Sequence, residues 1–158
     1  MAQRISATTA SRAKGDENVI PVDQSFIDDV AGDCLRACVA SVCNLAITEV
    51  PKFSESGFLP AVVKWARESG KTAIWMDIPD FTSLDKIWFG NVPEYFIAWG
   101  KSPRPKVDGG AKQHCVVVSR KGYGVKVVHD PHPDRTGLKT MCGFCFIVDA
   151  ERVPKETK

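Results

Sequence analysis

Three residues that lie far apart in the sequence have the side chains that thiol chemistry needs: Cys34, His114 and Asp130. A thiol that attacks a carbonyl needs a base to accept its proton. That base in turn needs an acceptor that fixes its tautomer and supports the imidazolium. Cysteine, histidine and aspartate can fill these three roles, so the sequence holds the components of a nucleophilic thiol site if folding brings them together.

Cys34 stands at the predicted start of a helix. Asp33 before it is a good N-cap residue, and apolar residues follow at the spacing of one helix face. These residues are Leu35, Cys38, Val39 and Val42. At a helix N-terminus, unpaired backbone N–H groups and the helix dipole stabilise a thiolate, and such cysteines commonly have a lowered pKa. The alternative interpretation is a small apolar residue packed at a helix start.

His114 and Asp130 are predicted to share one edge of a sheet. His114 lies at the start of a predicted strand over Gln113–Arg120, and Asp130 follows the next one, Gly124–His129. A tight turn around residues 121–123 makes these strands antiparallel neighbours, so the start of one lies beside the end of the other. The competing interpretation of His114 is an ordinary histidine at a sheet edge.

The motifs around these residues resemble those of papain-like cysteine peptidases. They read Asp33-Cys34-x-x-Ala37-Cys38, then His114-x-Val-Val-Val, then His129-Asp130-Pro131, and cover roughly residues 20 to 135. They are most similar to the bacteriocin-processing peptidase domains that cut after double-glycine leaders. Small phage and bacterial proteins of unassigned function share a similar pattern. The resemblance implies a papain-like fold.

The resemblance also implies a role for each matching residue. Cys34 would be the nucleophile, His114 the general base and acid, and Asp130 the orienting residue. Gln24 would donate to the oxyanion together with the Cys34 backbone N–H. The chain departs from the family pattern in two ways: Leu35 stands where the family has glycine, and Gln24 lies ten positions before Cys34, further than is usual.

Trp99 and His132 are candidates for contact with a substrate. Trp99 precedes the loop that leads to His114, so it could line a peptide groove; packing in the core is the alternative. His132 follows Asp130 in a loop, where it could contact a substrate or be solvated.

Cys142 and Cys145 form a Cys-x-x-Cys pair, a spacing that also occurs in zinc sites. A structural zinc site needs about four ligands, and His132 is one of the few candidates for a third. Because the residues after Cys145 are typical of a strand, the pair is predicted to be ordinary thiols at a strand entry. We therefore predict no metal and no cofactor.

The surrounding elements predict an α+β fold, with N-terminal helices packed on a mostly antiparallel sheet. The helices are expected from Asp33 to Cys43 or Asn44 and from Phe58 to Glu68, with a short third helix at Ser83–Phe89. The predicted strands are Lys71–Ile78, Glu94–Gly100, Gln113–Arg120, Gly124–His129 and Phe144–Asp149, with a loop at Lys101–Lys112.

Composition limits the classes of function. With 158 residues and 44% hydrophobic content, we expect one domain over 19–158 behind a polar, mobile tail over 1–18. A net charge of +2 without a basic stripe argues against nucleic acid as a partner. No apolar run approaches the roughly 20 residues of a membrane span, and no secretory signal is present, so a cytoplasmic protein without membrane contact is expected.

These observations predict a cysteine peptidase or a related thiol amide hydrolase or acyl-transfer enzyme. It would act on a peptide or protein through a thioester, using a Cys-His-Asp triad. Two alternatives stay open: a catalytically silent papain-like binding or effector module, and a zinc-stabilised fold.

Overall fold

The computed structural model describes residues 19–25, 33–53, 58–77, 93–105, 111–121 and 124–152. Within these ranges, two α-helices accompany one five-stranded sheet in which every adjacent pair is antiparallel, which confirms the α+β class. The predicted tail over 1–18 and the predicted helix at Ser83–Phe89 lie outside the described residues. The elements are α1 Asp33–Cys43, α2 Phe58–Glu68, β1 Lys71–Asp77, β2 Tyr95–Pro105, β3 Ala111–Lys121, β4 Gly124–His129 and β5 Thr140–Asp149. The strand order is β1-β5-β2-β3-β4.

Helix α2 has the predicted bounds. Pro60 lies in its first turn, where a backbone N–H has no partner within the helix. Gly70, whose φ of +68° suits glycine, follows its end. The two α-helices are 11 residues each, and no helix among the described residues is long and apolar enough to cross a membrane.

Helix α1 spans Asp33–Cys43 within the predicted bounds, but Asp33 is its first helical residue and not the N-cap. Its buried carboxylate accepts a hydrogen bond from the Ser25 backbone N–H at 2.6 Å and lies 3.6 Å from Arg36 Nη1. Asp33 therefore ties the segment ahead of the helix to its first turn, and Cys34 remains within that turn.

Successive side chains of a strand point to opposite faces of the sheet, and here both faces carry buried apolar side chains. One cluster joins the sheet to the helices, and the other lies on the opposite face. The helix-side cluster includes Leu35, Cys38, Val39, Val62, Ile97, Cys115, Val117 and Cys145. The opposite cluster consists of Phe96, Ala98, Val116, Val118, Phe144 and Phe146. Packing of α1 on the first face brings its N-terminal turn toward β3.

Two strands extend into the segment predicted as a loop at Lys101–Lys112. Strand β2 runs on to Pro105, which pairs with Ala111 of β3. Beyond Lys101, β2 has β3 but no longer β5 as a partner, and the β2–β3 register shifts before Pro105. Prolines, which lack an N–H, are tolerated where a strand loses a neighbour. The loop prediction was therefore wrong at both ends of the segment.

Strand β5 also begins earlier than predicted, at Thr140 instead of Phe144. The pair Cys142 and Cys145 consequently lies inside the strand and not at its entry. A register shift between Trp99 and Gly100 leaves Cys142 without a partner on β2, as at a β-bulge. Local periodicity gave no sign of this bulge.

Candidate active site

The hairpin of β3 and β4 brings His114 and Asp130 into contact. His114 is the fourth residue of β3, whereas the predicted strand began at Gln113 and made it the second. Because Val117 pairs with His129, the residues before Val117 lie beside the corner that follows β4. His114 Nε2 is 2.7 Å from Asp130 Oδ1, and both side chains are 3% exposed.

Gly100 opposes His114 on the neighbouring strand and makes this arrangement possible. The β5 backbone comes so close here that a Cβ on Gly100 would collide with the carbonyl of Thr140. Only glycine therefore allows β2 and β5 to approach each other at the level of His114.

Cys34 reaches the same place from α1. Its half-buried side chain packs against the helix-side cluster and lies within hydrogen-bonding reach of the His114 imidazole and the Cys115 thiol. Three distant segments of the chain thus bring a sulfur, an imidazole and a carboxylate together.

Hydrogen bonds at this junction shift two pKa values in opposite directions. Those from Cys115 and then His114 hold the pKa of Cys34 well below its ordinary value, although burial opposes them. Burial would lower the pKa of His114, but its hydrogen bonds with Asp130 and Cys34 raise it from 6.5 to about 9. Both shifts favour a thiolate beside an imidazolium near neutral pH.

Asp130 is held by four hydrogen bonds. Its Oδ1 accepts from His114 and from the His132 backbone N–H at 2.9 Å. Its Oδ2 accepts from the Gly137 backbone N–H at 2.7 Å and from Arg104 Nη2 at 3.0 Å. Burial alone would raise the pKa of Asp130, but the hydrogen bonds from His114, His132 and Gly137 lower it well below its usual range. The group is therefore a fixed carboxylate that keeps the imidazole in one orientation.

Arg104 is a site residue that sequence reasoning missed. Its side chain is 14% exposed and spans two carboxylates: Nη2 contacts Asp130, while Nε lies 2.8 Å from Asp134 Oδ2. The hydrogen bond from Arg104 is also the main reason that the pKa of Asp134 is lowered. Arg104 lies in the proline-rich extension of β2, whose composition indicated a loop. Only the need for a β2–β3 hairpin pointed to its position.

His132 packs against the site. Its ring stands edge-on to that of His114, with centroids 6.3 Å apart and planes at 87°. Its Nδ1 accepts the Asp134 backbone N–H at 3.2 Å, and its side chain is only 13% exposed. A freely solvated His132 is therefore excluded, whereas substrate contact stays a prediction.

Trp99 lies one strand further into the sheet. It pairs with Cys115 across β2 and β3, and its half-buried indole packs against the helix-side cluster. Gly143 leaves space for this indole, since a Cβ there would lie 2.6 Å from Nε1. The described contacts are those of core packing, and a groove role stays a prediction.

The segment that carries Gln24 is fixed beside the Asp130 corner. The Gln24 backbone N–H donates to the Pro131 carbonyl at 3.1 Å. His129 Nε2 donates to the Val22 carbonyl at 2.8 Å, and the Val22 N–H donates to Ser41 Oγ on α1 at 2.9 Å. The ten-residue separation from Cys34 therefore does not remove Gln24 from the neighbourhood of the site.

The Cys142 and Cys145 pair lies in β5 and does not take part in the described contacts among Cys34, His114 and Asp130. Cys145 is fully buried in the helix-side cluster, and burial raises its pKa. Among the residues that the structure describes, no group of three histidine, cysteine, aspartate or glutamate side chains is arranged to hold a metal ion. All six cysteines are free thiols.

A comparison with protein-family models and a search of curated proteins both find no match to this chain. The interpretation of the site therefore depends on its geometry and on the chemistry of its residues.

Proposed function

We propose that this chain is a papain-like cysteine hydrolase that cleaves or transfers an amide of a peptide or protein through a thioester on Cys34. The observation that carries the proposal is the hydrogen-bonded series from Cys34 to His114 to Asp130. Nucleophile, base and orienting acid occur in the order that the chemistry requires.

The first half of the reaction uses a thiolate that already exists. Cys34 attacks the amide carbonyl, and the negative charge moves to the oxygen. Because Asp130 engages Nε2 of His114, we assign Nδ1 as the ring nitrogen that faces the sulfur. His114 then protonates the leaving amine as the C–N bond breaks, and a thioester remains on Cys34.

The second half returns the enzyme to its starting state. Neutral His114 takes a proton from water, which attacks the thioester carbonyl and releases the acid and the thiolate. In both halves, the Cys34 backbone N–H and the Gln24 side chain are assigned to the oxyanion. One such donor is typically worth about 10²- to 10³-fold in rate.

Two structural features support activity despite the departures from the family pattern. Leu35, where the family has glycine, is 4% exposed in the helix-side cluster, so its side chain is directed into the core. Gln24 is bonded through its backbone to the residue after Asp130. Both observations support the roles proposed for Cys34 and Gln24.

Alkylation of single cysteines tests the proposal. Iodoacetamide is applied between about pH 4 and pH 8, and each cysteine is followed by mass spectrometry of its peptide. We expect Cys34 to react already at acidic pH. Cys142, which is also half-buried but lies outside the site, is followed in the same digest as an internal control. His114→Ala should reduce the advantage of Cys34, because the hydrogen bond from Cys115 remains. An identical pH dependence for Cys34 and Cys142 would overturn the proposal.

Turnover separates a hydrolase from a silent binding module. Wild-type protein and Cys34→Ala are incubated with a peptide library, and new termini are identified by mass spectrometry. We expect cleavage by the wild type only. A reactive Cys34 without any cleavage would favour the binding module instead.

A further inference from the structure

A second thiol lies beside the proposed nucleophile, where it donates a hydrogen bond to Cys34 but takes no part in the bond changes of the proposed mechanism. Cys115 directly follows His114 in β3 and belongs to the cluster against which Cys34 packs. Its thiol and its backbone are both within hydrogen-bonding reach of Cys34. The junction of α1 and β3 therefore holds two thiols within hydrogen-bonding reach of each other.

We propose that Cys34 and Cys115 form a reversible disulfide, in which Cys34 reacts first with a hydroperoxide and Cys115 resolves the product. The proposal shares the reactive Cys34 with the proposed function, but it does not require amide hydrolysis. It makes the nucleophile a site of reversible oxidation.

The first step is a two-electron oxidation of Cys34. The thiolate attacks one oxygen of the hydroperoxide, so that an S–O bond forms and the O–O bond breaks. The departing alkoxide or hydroxide takes a proton from the His114 imidazolium, and Cys34 becomes a sulfenic acid. Sulfur is oxidised and the peroxide is reduced.

The second step joins the two sulfurs. Cys115 attacks the sulfur of the sulfenic acid, so that the S–S bond forms, the S–O bond breaks, and the hydroxyl group leaves as water with the Cys115 proton. In total, two thiols and one hydroperoxide give a disulfide, an alcohol or water from the peroxide, and one further water. Excess thiol reverses the reaction by exchange.

Exposure assigns the order of the two thiols. Cys34 is half-buried, whereas Cys115 is 8% exposed, so a peroxide meets Cys34 first. A disulfide needs its sulfurs about 2.05 Å apart, which is closer than a hydrogen-bonded contact. Disulfide formation therefore requires α1 to move toward β3 at the level of Cys34 and Cys115.

The disulfide would inhibit acyl transfer reversibly and would protect Cys34 from further oxidation. A disulfide removes the Cys34 thiolate, so acyl transfer stops while His114 and Asp130 stay in place. It also diverts the sulfenic acid from irreversible oxidation to sulfinic acid. Reduction would restore both thiols.

The sequence allows a direct test, because trypsin separates the relevant cysteines. Cys34 falls on the peptide Gly15–Arg36, Cys115 on Gln113–Arg120, and Cys38 with Cys43 on Ala37–Lys52. Wild-type protein is treated with hydrogen peroxide, blocked with iodoacetamide under denaturing conditions, digested without reduction and measured by mass spectrometry. We expect the first two peptides to be joined with the loss of two hydrogens, and dithiothreitol to separate them.

Two matched variants sharpen the result. Cys115→Ala should leave Cys34 unprotected, so that peroxide converts it to sulfinic acid that dithiothreitol does not reverse. Cys145→Ala removes another buried thiol of the same cluster and should form the disulfide as the wild type does. Circular dichroism checks that both variants fold. The peptide map of the wild type tests the disulfide even if a variant does not fold.

Three results would overturn the proposal: a disulfide from Cys34 to any other cysteine, a sulfinic acid on Cys34 with Cys115 still free in the wild type, or no oxidation of Cys34 at all. Acid-pH alkylation of the same protein before peroxide treatment separates this failure from that of the proposed function. A Cys34 that alkylates at acidic pH without cross-linking overturns only the disulfide. Cross-linking in a protein that cleaves no peptide overturns only the hydrolase.

Discussion

The thiols at the junction of α1 and β3 and those within β5 differ in what surrounds their sulfurs. In β5, burial is the largest influence on Cys145, and it raises the pKa of that thiol. At the junction, hydrogen bonds from Cys115 and His114 outweigh burial and lower the pKa of Cys34. The helix-seated cysteine is therefore set up as a nucleophile, whereas the Cys-x-x-Cys pair is not. Donors to the sulfur, and not the spacing of cysteines, decide which thiol is activated.

The largest expected difference between the two regions is in catalysis. Cys34→Ala should lower the kcat/KM for peptide cleavage by at least ~10⁴-fold, because it removes the atom that forms the thioester. Cys145→Ala deletes a buried thiol of similar size and should change this value by only a few-fold. Comparable losses of kcat/KM in both variants would show that Cys34 is no more important for cleavage than Cys145.

The pH dependence of cleavage should reflect the imidazolium as well as the thiolate. His114 must be protonated to release the amine, so activity should fall by about tenfold per pH unit above its pKa. Since that pKa is raised from 6.5 to about 9, the decline is expected near pH 9. A profile of kcat/KM against pH checks this, and a decline near 6.5 would contradict it.

The same raised pKa has a consequence for stability. Protonation of His114 stabilises the folded state fully below about pH 6.5, and this contribution disappears as the pH rises through about 9. This window lies below the one expected from the raised pKa of Cys145 in β5, which is a thiol with an ordinary pKa of 9.0.

Arg104 allows the support of the site to be tested with a matched ion pair. Arg104→Ala removes one of the two cationic partners of buried Asp130, the other being the His114 imidazolium, and should lower the free energy of unfolding by about 2 kcal/mol, with a loss of ~10-fold in kcat/KM. Lys64→Ala breaks an exposed pair with Glu68 on α2, away from the site, and should cost only about 0.5 kcal/mol. Urea unfolding measures both variants. Equal losses would mean that Arg104 is an ordinary surface charge.

Much of this site was predictable from the sequence, for identifiable reasons. Helical periodicity located α1 and α2, and the turn between β3 and β4 predicted that His114 and Asp130 would meet. Both are consequences of local pattern, which a single sequence carries.

The remaining parts depend on contacts that local pattern does not encode. Arg104 was hidden because prolines in its segment indicated a loop, although β2 continues through them. Cys115 looked like one more residue of a Val-rich strand, because its importance comes from the packing of α1 on β3. His132 looked solvated because the order of its loop comes from hydrogen bonds to Asp130 and Asp134.

The smallest expected effect concerns the donor that distinguishes Cys34 from the thiols of β5. The hydrogen bond from Cys115 is the largest of those that lower the pKa of Cys34. Cys115→Ala should therefore move the acid limb of the kcat/KM profile toward higher pH, while Cys145→Ala should leave it in place. An unchanged acid limb in Cys115→Ala would show that His114 alone activates the nucleophile.

Titration of the Cys34 thiolate tests the central claim most directly. The ultraviolet absorbance of thiolates is followed against pH for the wild type and for Cys34→Ala, and the difference between the two curves isolates Cys34. The account predicts a midpoint well below the ordinary thiol pKa of 9.0. A midpoint at or above that value would place Cys34 with the buried Cys145 thiol of β5 and contradict the account.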